Sequence, residues 1–297
     1  MSTAEALSVG RRRIEITHPD KAMFEGPTIT KLELARYYEA VAAVMVPLAR
    51  GRPLALQSFP RGTTGDSGFF LKSVPSYYPD WIRTVEVPKR GGSLTQALMD
   101  NAATMVYLAG QNVVTPHVWL SRADRLREPD RLIIDLDPSP GIGFGAVRAA
   151  ARAAGARLRD AGLKPHAMVT GSRGVHVLCP LRRGPSFTDV HGYARALAEA
   201  MVADDPKRLT LEWHRDERGA RIYIDVNRIN YAQHAVAPYG VRPRPRAPVA
   251  MPLHWEELDD RALKPDKYTV RNAVARLESE GDAWKGIGRD ARKLPPS

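Results

Sequence analysis

Two aspartates one residue apart close an apolar run, in the stretch RLIIDLDPSP that begins at Arg131. Side chains alternate faces along a strand, so Asp135 and Asp137 project together while Leu136 points the other way into a core. Like charges held that close repel, and a divalent cation between them relieves the repulsion. The pair is therefore a metal-site hypothesis first, with plain solvent exposure as the bland alternative. Asp225, in RIYIDVN, stands in the same setting near the end of another apolar strand. Three carboxylates from two strands are the donor set of a two-metal nucleotidyl transfer. One ion activates an attacking 3′-hydroxyl, and the other neutralises a triphosphate and its leaving pyrophosphate.

A second constellation is TGSRGVHV. Gly171 and Gly174 permit close backbone approach, and Thr170, Ser172 and Arg173 offer donors to phosphate oxygens. An ordinary strand connection carries the same glycines. His176 follows the turn and brings an imidazole to the start of the next strand.

The elements that must position these residues alternate between helix and strand. TKLELARYYEAVAAVMVPLA has Thr30 as N-cap and apolar residues at helical spacing (Leu34, Tyr37, Tyr38, Val41, Val44). RRRIEIT and RPLALQSFPRG read as strands, SLTQALMDNAATMVYLAGQN as a helix, and TPHVWLSR as a strand. After the aspartates come the helix FGAVRAAARAAGARLRDAG, the strands PHAMVT and VHVLCPL, a helix from about Thr188 to Val202, and the strand RIYIDVN. Residues up to Gly10 look frayed, KYTVRNAVARLES reads as helix, and VAPYGVRPRPRAPVAMPL is proline-punctuated and too rich in arginine for a core. No repeat, heptad pattern or long linker breaks the chain. The reading is one continuous catalytic unit, with an N-terminal subdomain over about 11–115, a metal-binding core over about 116–260, and a C-terminal helix and tail over 261–297.

Composition narrows the partners. The 297 residues are 43% hydrophobic and 26% charged, which is globular rather than disordered. Lys and Arg outnumber Asp and Glu by 44 to 33, a net charge of +11 that favours a polyanion such as nucleic acid or nucleotide phosphates. The single cysteine, Cys179, excludes an internal disulfide and a cysteine-rich zinc site, and reads as a core residue in a reducing cytoplasm. No apolar run reaches membrane-spanning length, and the first residues lack the apolar stretch of a secretory signal. The expected location is cytoplasmic, beside the nucleoid.

DLDP, GSRGVH, a later IDV strand and VAPYGVR occur in the order found in the archaeo-eukaryotic primase superfamily. The chain most closely resembles the polymerase domain of bacterial DNA ligase D and its stand-alone relatives, from ITHPDK through APVAMPL. Nothing in it resembles the ligase's lysine motif or the nuclease module, so a free-standing polymerase is expected. The resemblance implies an α+β fold with mixed or antiparallel sheets flanked by helices. It also implies template-dependent addition of ribo- or deoxyribonucleotides to a DNA primer at gaps or broken ends. Asp135, Asp137 and Asp225 would hold two divalent ions, manganese being favoured over magnesium, with nucleoside triphosphates as substrates. His176, Thr170, Ser172, Arg173 and Gly174 would lie at the triphosphate, joined by Arg242 of YGVRPR and His117 of TPHVW; on residues alone His117 reads as a half-buried strand histidine.

By the same resemblance, Lys21 and Lys31 would bind the 5′-phosphate on the far side of a gap, provided that DKAMFEGPTIT folds back on itself at Gly26-Pro27. His18 replaces the family's asparagine in that pocket. Phe69 and Phe70, beside Lys72, match aromatics that stack on the template, and Arg244 is assigned to DNA. Gln57 stands where relatives carry Arg or Lys, and Ile229 where they carry Asn, so these contacts fall to neighbours such as Arg61 or Arg228. The end-binding protein Ku and a separate ligase are the partners this reading brings in. Two rival readings remain: a phosphohydrolase of the haloacid dehalogenase type, whose DxD nucleophile DLDPS matches loosely, and a non-catalytic basic DNA-binding module, which leaves the strand-end carboxylates unexplained.

Overall fold

The helix expected after Thr30 forms over Lys31–Ala49 in the computed structural model, which describes residues 4–64 and 68–296. Its start is a reciprocal cap: the Thr30 hydroxyl accepts from the Glu33 amide at 3.1 Å and the Glu33 carboxylate accepts from the Thr30 amide at 2.8 Å. The buried face includes Leu34, Tyr37, Tyr38 and Val41.

The chain divides into two compact units, each discontinuous in sequence. The first gathers Met1–Trp119, His234–Ala250 and Tyr268–Gly281. Its four-stranded sheet runs in the order His234–Val236, Val113–Trp119, Leu54–Ser58, Phe69–Leu71, with every neighbouring pair antiparallel. The helices Lys31–Ala49 and Ala102–Gly110 pack on one another in this unit. The boundaries read from the sequence at 115/116 and 260/261 differ from this division. The late segment His234–Val236 hydrogen-bonds to Val113–Trp119, and such pairing across a long sequence gap leaves no local signature.

The second unit comprises Leu120–Gln233, Met251–Lys267 and Asp282–Ser297. It is built on a six-stranded sheet ordered Leu209–Thr210, Ile222–Asp225, Arg131–Pro138, Val175–Pro180, His166–Val169, Met251–Leu253. All neighbours are antiparallel except the first pair. The aspartate strand Arg131–Pro138 is thus central. The helices Phe144–Asp160 and Phe187–Asp204 pack against it and against each other. Fold class is α+β with mostly antiparallel sheets, as expected.

Four local readings are corrected. The opening residues are a strand, Ala4–Val9, paired with Arg12–Thr17; Leu7 and Val9 alternate into the core and Gly10 supplies the positive φ of the turn. SLTQALMDNAATMVYLAGQN divides into a strand, Gly92–Ala97, and a helix, Ala102–Gly110, because Asn101 caps the helix by accepting from the Thr104 amide at 3.0 Å. In VAPYGVRPRPRAPVAMPL, residues 236–241 and 247–253 are buried, and only Arg244–Arg246 lie fully outside. Proline there shapes buried loops rather than marking a surface linker. KYTVRNAVARLES is helical only over its later part, within Ala273–Glu280.

Gly174 locks the aspartate strand to its neighbour. A Cβ built there would stand 2.1 Å from the Leu136 carbonyl oxygen, a contact only backbone movement can relieve. Gly174→Ala should therefore lower unfolding free energy by about 1–3 kcal/mol, the usual cost of overpacking. Urea denaturation measures it, and an unchanged midpoint would show that the two strands separate at no cost.

Candidate active site

The antiparallel ladder places Asp135 directly opposite Asp225 on one side and opposite His176 on the other. Directly paired residues on antiparallel strands have Cβ atoms about 4.5–5.5 Å apart, where like charges destabilise. Both carboxylates are buried. Burial first, and the Asp135 charge second, raise the Asp225 carboxyl above its ordinary value of 3.8. The Arg228 guanidinium offsets this, its Nε lying 3.1 Å from Asp225 and 3.5 Å from Asp135. On the far side His176 Nε2 lies 3.5 Å from the Asp135 carboxylate.

Asp137 shares the face of Asp135, and its partners are arginines: Arg173 Nη2 at 3.1 Å and Arg218 Nη1 at 3.4 Å. Arg218 is buried, donates to the carbonyls of Glu212 at 3.1 Å and Trp213 at 2.9 Å, and lies 3.9 Å over the Tyr223 ring. The Tyr223 hydroxyl donates to Asp225 at 3.3 Å and accepts from the Asn227 amide group at 3.1 Å. Burial, then the neighbouring Asp225 charge, pushes this phenol up to about 12, so it remains a donor at any working pH. Beside these groups opens a cleft of about 460 Å³ lined by Trp213, Asp225, Asn227, Arg228, Asn230 and Gln233.

The glycine turn closes on itself. Gly171 has φ +66°, and the Thr170 hydroxyl donates to the Gly174 carbonyl at 3.2 Å and accepts from its amide at 3.3 Å. Thr170 therefore shapes the turn, while Arg173 holds Asp137. Ser172 stays partly exposed. Ile229 is fully buried, so the residue at that position serves the core, and Arg228 beside it meets the carboxylates.

The remaining candidates lie in the first unit. His117 is buried, with its ring centroid 5.2 Å from Phe70 and 5.0 Å from His234; Phe70 and His234 are 5.4 Å apart. Phe69 and Phe70 leave 49% and 41% of their surface exposed, and Lys72 is exposed beside them. Gln57 pairs across the sheet with Phe70. Ala22–Phe24 and Ile29–Thr30 form the expected fold-back hairpin, and the Lys31 amide bonds the Lys21 carbonyl at 2.9 Å. Lys21 Nζ donates to Asn112 at 2.8 Å and to the Pro60 carbonyl, and Lys31 Nζ reaches Thr17 at 3.5 Å. Burial lowers both ammonium groups, and the Lys21 charge adds to the effect on Lys31, so two cations face one another. His18 enters this hairpin with φ +50°. Arg61 and Arg244 are exposed, and Arg242 is partly buried.

Arg218, Tyr223, Asn112 and His234 were not found from sequence. Arg218 was detectable only by asking which cation answers Asp137, and RDERGAR offers several. Among the described residues, no three metal-binding side chains already surround one point. The donor chemistry nevertheless fits a hard divalent cation, since two buried carboxylates on facing positions repel and present oxygen ligands.

The fold is that of a nucleotidyltransferase of the DNA-polymerase type. The chain belongs to the LigD primase-polymerase domain family, whose model matches residues 30–284. It is 28% identical over 281 residues to the multifunctional non-homologous end joining protein LigD of Mycolicibacterium smegmatis, covering 94% of this chain and 36% of that protein. It is 26% identical over 291 residues to the bifunctional LigD of Bacillus subtilis, covering 96% of this chain and 46% of that one. The chain thus spans between a third and a half of these relatives. The polymerase domain of Mycobacterium tuberculosis ligase D, solved in complex with DNA, superposes with a TM-score of 0.88 at 27% identity, covering 95% of this chain and all of that one. Family membership sets aside the phosphohydrolase and the non-catalytic module.

A carboxyl raised by folding holds its proton more tightly in the native than in the unfolded chain, so stability falls as pH rises above 3.8. Asp225→Asn keeps the oxygen that accepts from the Asn227 amide at 3.0 Å and removes the repelling charge. At pH 7 in metal-free buffer the variant should melt above the wild type; if the carboxylate ligates the catalytic ion, it should also lose nucleotide addition by at least ~100-fold, since outer partners alone cost 10–100-fold. A variant that melts lower would show that Arg228 more than compensates the pair.

Proposed function

We propose that the chain extends the 3′ end of a DNA primer strand with nucleotides, by divalent-ion-dependent transfer, during repair of gaps and broken ends. The observation that carries this reading is the pair Asp135 and Asp225 facing across the ladder, with Asp137 on the same face. Manganese or magnesium, when bound, would lower the pKa of the attacking hydroxyl and neutralise the phosphates. Asp135 and Asp225 would hold the ions between strands the sheet keeps fixed. Arg228 stands in for positive charge at the pair, and its half-exposed side chain can turn to water at small cost. Tyr223 and Asn227 orient the Asp225 carboxylate, and Arg218 restrains Asp137. His176, buried against Asp135, offers an imidazole to a triphosphate beside the Ser172 turn.

The net charge of +11 suits a DNA backbone, and relatives bearing the end-joining name support a role at broken ends, with Ku and a separate ligase as partners. A cytoplasmic, nucleoid-associated place agrees with this role, and no described helix is long and apolar enough to cross a membrane.

Primed-template extension with manganese or magnesium, read as product length and pyrophosphate release, tests the proposal. Asp135→Ala and Asp137→Ala should each lose at least ~100-fold while retaining DNA affinity, because phosphate contacts lie elsewhere. Extension by either at the wild-type rate would remove the assignment.

Lys21 and Lys31 form no ion pair with a carboxylate among the described residues, so both ammonium groups are left to meet a 5′-phosphate. A gapped duplex with a 5′-phosphate should bind severalfold tighter than its hydroxyl counterpart, the difference shrinking in high salt. Lys21→Ala with Lys31→Ala should abolish the preference and spare extension on open template. Equal binding of the two gaps by the wild type at low salt would leave these lysines without that role.

A further inference from the structure

Trp213 is the largest kind of side chain, yet 58% of its surface is exposed. It is not on a loose segment. The Arg218 guanidinium donates to the carbonyls of Glu212 at 3.1 Å and Trp213 at 2.9 Å. The Glu212 amide donates to the Thr210 hydroxyl at 3.0 Å, and the His214 amide to the Glu212 carboxylate at 3.2 Å. The backbone on both sides of Trp213 is therefore fastened, and the same arginine that fastens it meets Asp137 at 3.4 Å. Only the indole is left outside, on the rim of the cleft that includes Asp225 and Arg228. Apolar surface of this size held in water by a fixed backbone contributes nothing to folding, and an aromatic face is a platform for any nucleobase.

The other lining groups decide which part of a nucleic acid it meets. Besides the Asp225 carboxylate, they are the neutral amides of Asn227, Asn230 and Gln233 and a single cation, Arg228, already shared between Asp135 and Asp225. A triphosphate carries several negative charges and needs free cations, whereas amides suit base edges and sugar hydroxyls. We infer that Trp213 stacks on the terminal base of the primer strand, with the amides beside it contacting that nucleoside, so that the 3′-hydroxyl is held at the carboxylates. This rests on the polymerase reading above and adds a subsite for the acceptor nucleoside.

Anisotropy of a labelled recessed primer-template, with either a normal or an abasic 3′-terminal nucleotide, tests it in wild type, Trp213→Ala and Trp213→Phe. Loss of one stacked base weakens binding by about tenfold. Trp213→Ala should show that loss on the normal primer and Trp213→Phe should recover most of it. The abasic end should weaken the wild type by a similar factor and leave Trp213→Ala no weaker than before. In extension assays the KM for the nucleoside triphosphate should be unchanged by Trp213→Ala. Equal affinities of wild type and Trp213→Ala, losses that multiply when the variant meets the abasic end, or a rise confined to the triphosphate KM would each overturn the subsite. A wild type that shows the binding pattern without extending primers would retain the subsite and remove the polymerase reading. Extension with no effect of Trp213→Ala on binding would do the reverse.

Discussion

Repulsion between Asp135 and Asp225 is the constraint on which the second unit is organised. The two stand opposite one another because their strands pair in one register, and a one-residue slip would turn every core side chain of the strand to the other face. The sheet cannot relieve the repulsion by moving, so relief has to come from positive charge and hydrogen-bond donors on side chains. Arg228 spans the two carboxylates, His176 faces Asp135 from the neighbouring strand, and Tyr223 donates to Asp225. A sequence selected for stability alone would place apolar residues at these buried positions. Keeping charges there, with a carboxyl forced upward by burial, is what the functional reading of these positions accounts for and packing does not.

The arginines around the carboxylates differ in how far water reaches them. Arg228 and Arg173 keep about two-fifths of their side chains in water, at 41% and 39%, whereas Arg218 keeps 10%. Arg218 also spends its donors on two carbonyls and lies over an aromatic ring. It is a fixed strut between the segment 212–218 and Asp137, while Arg228 and Arg173 are cations that hydration can take back cheaply. The facing pair can thus exchange its positive partner without refolding, and Asp137 keeps one anchor throughout.

Much of the fold was legible because its signals are local. Thr30 with Glu33 is a capping pair three residues apart, the apolar spacing of the helix that follows repeats within a turn, and the strands around the aspartates alternate or run apolar over a few residues. The misread segments each depended on something distant or subtle. Ala4–Val9 is a strand because Arg12–Thr17 pairs with it, Asn101 divides an apolar run that reads as one helix, and the arginine-rich stretch after His234 hides buried alanines, valines and a tyrosine between its prolines. The division into units was invisible because a strand near residue 235 completes a sheet formed before residue 120.

The site was legible by the same measure, and unevenly. An acid inside an apolar strand is anomalous, so Asp135, Asp137 and Asp225 stand out against their own neighbours. A cation in this chain is not anomalous, since it is one of 44 lysines and arginines, most of them solvated. Nothing local separates Arg218 from Arg215 or Arg221, although only Arg218 of the three meets Asp137. Burial of the guanidinium, the carbonyls it binds and the ring it covers are all tertiary facts. The carboxylates can therefore be found by asking what does not belong in a strand, whereas their partners can be found only by asking which positive charge the fold brings to them.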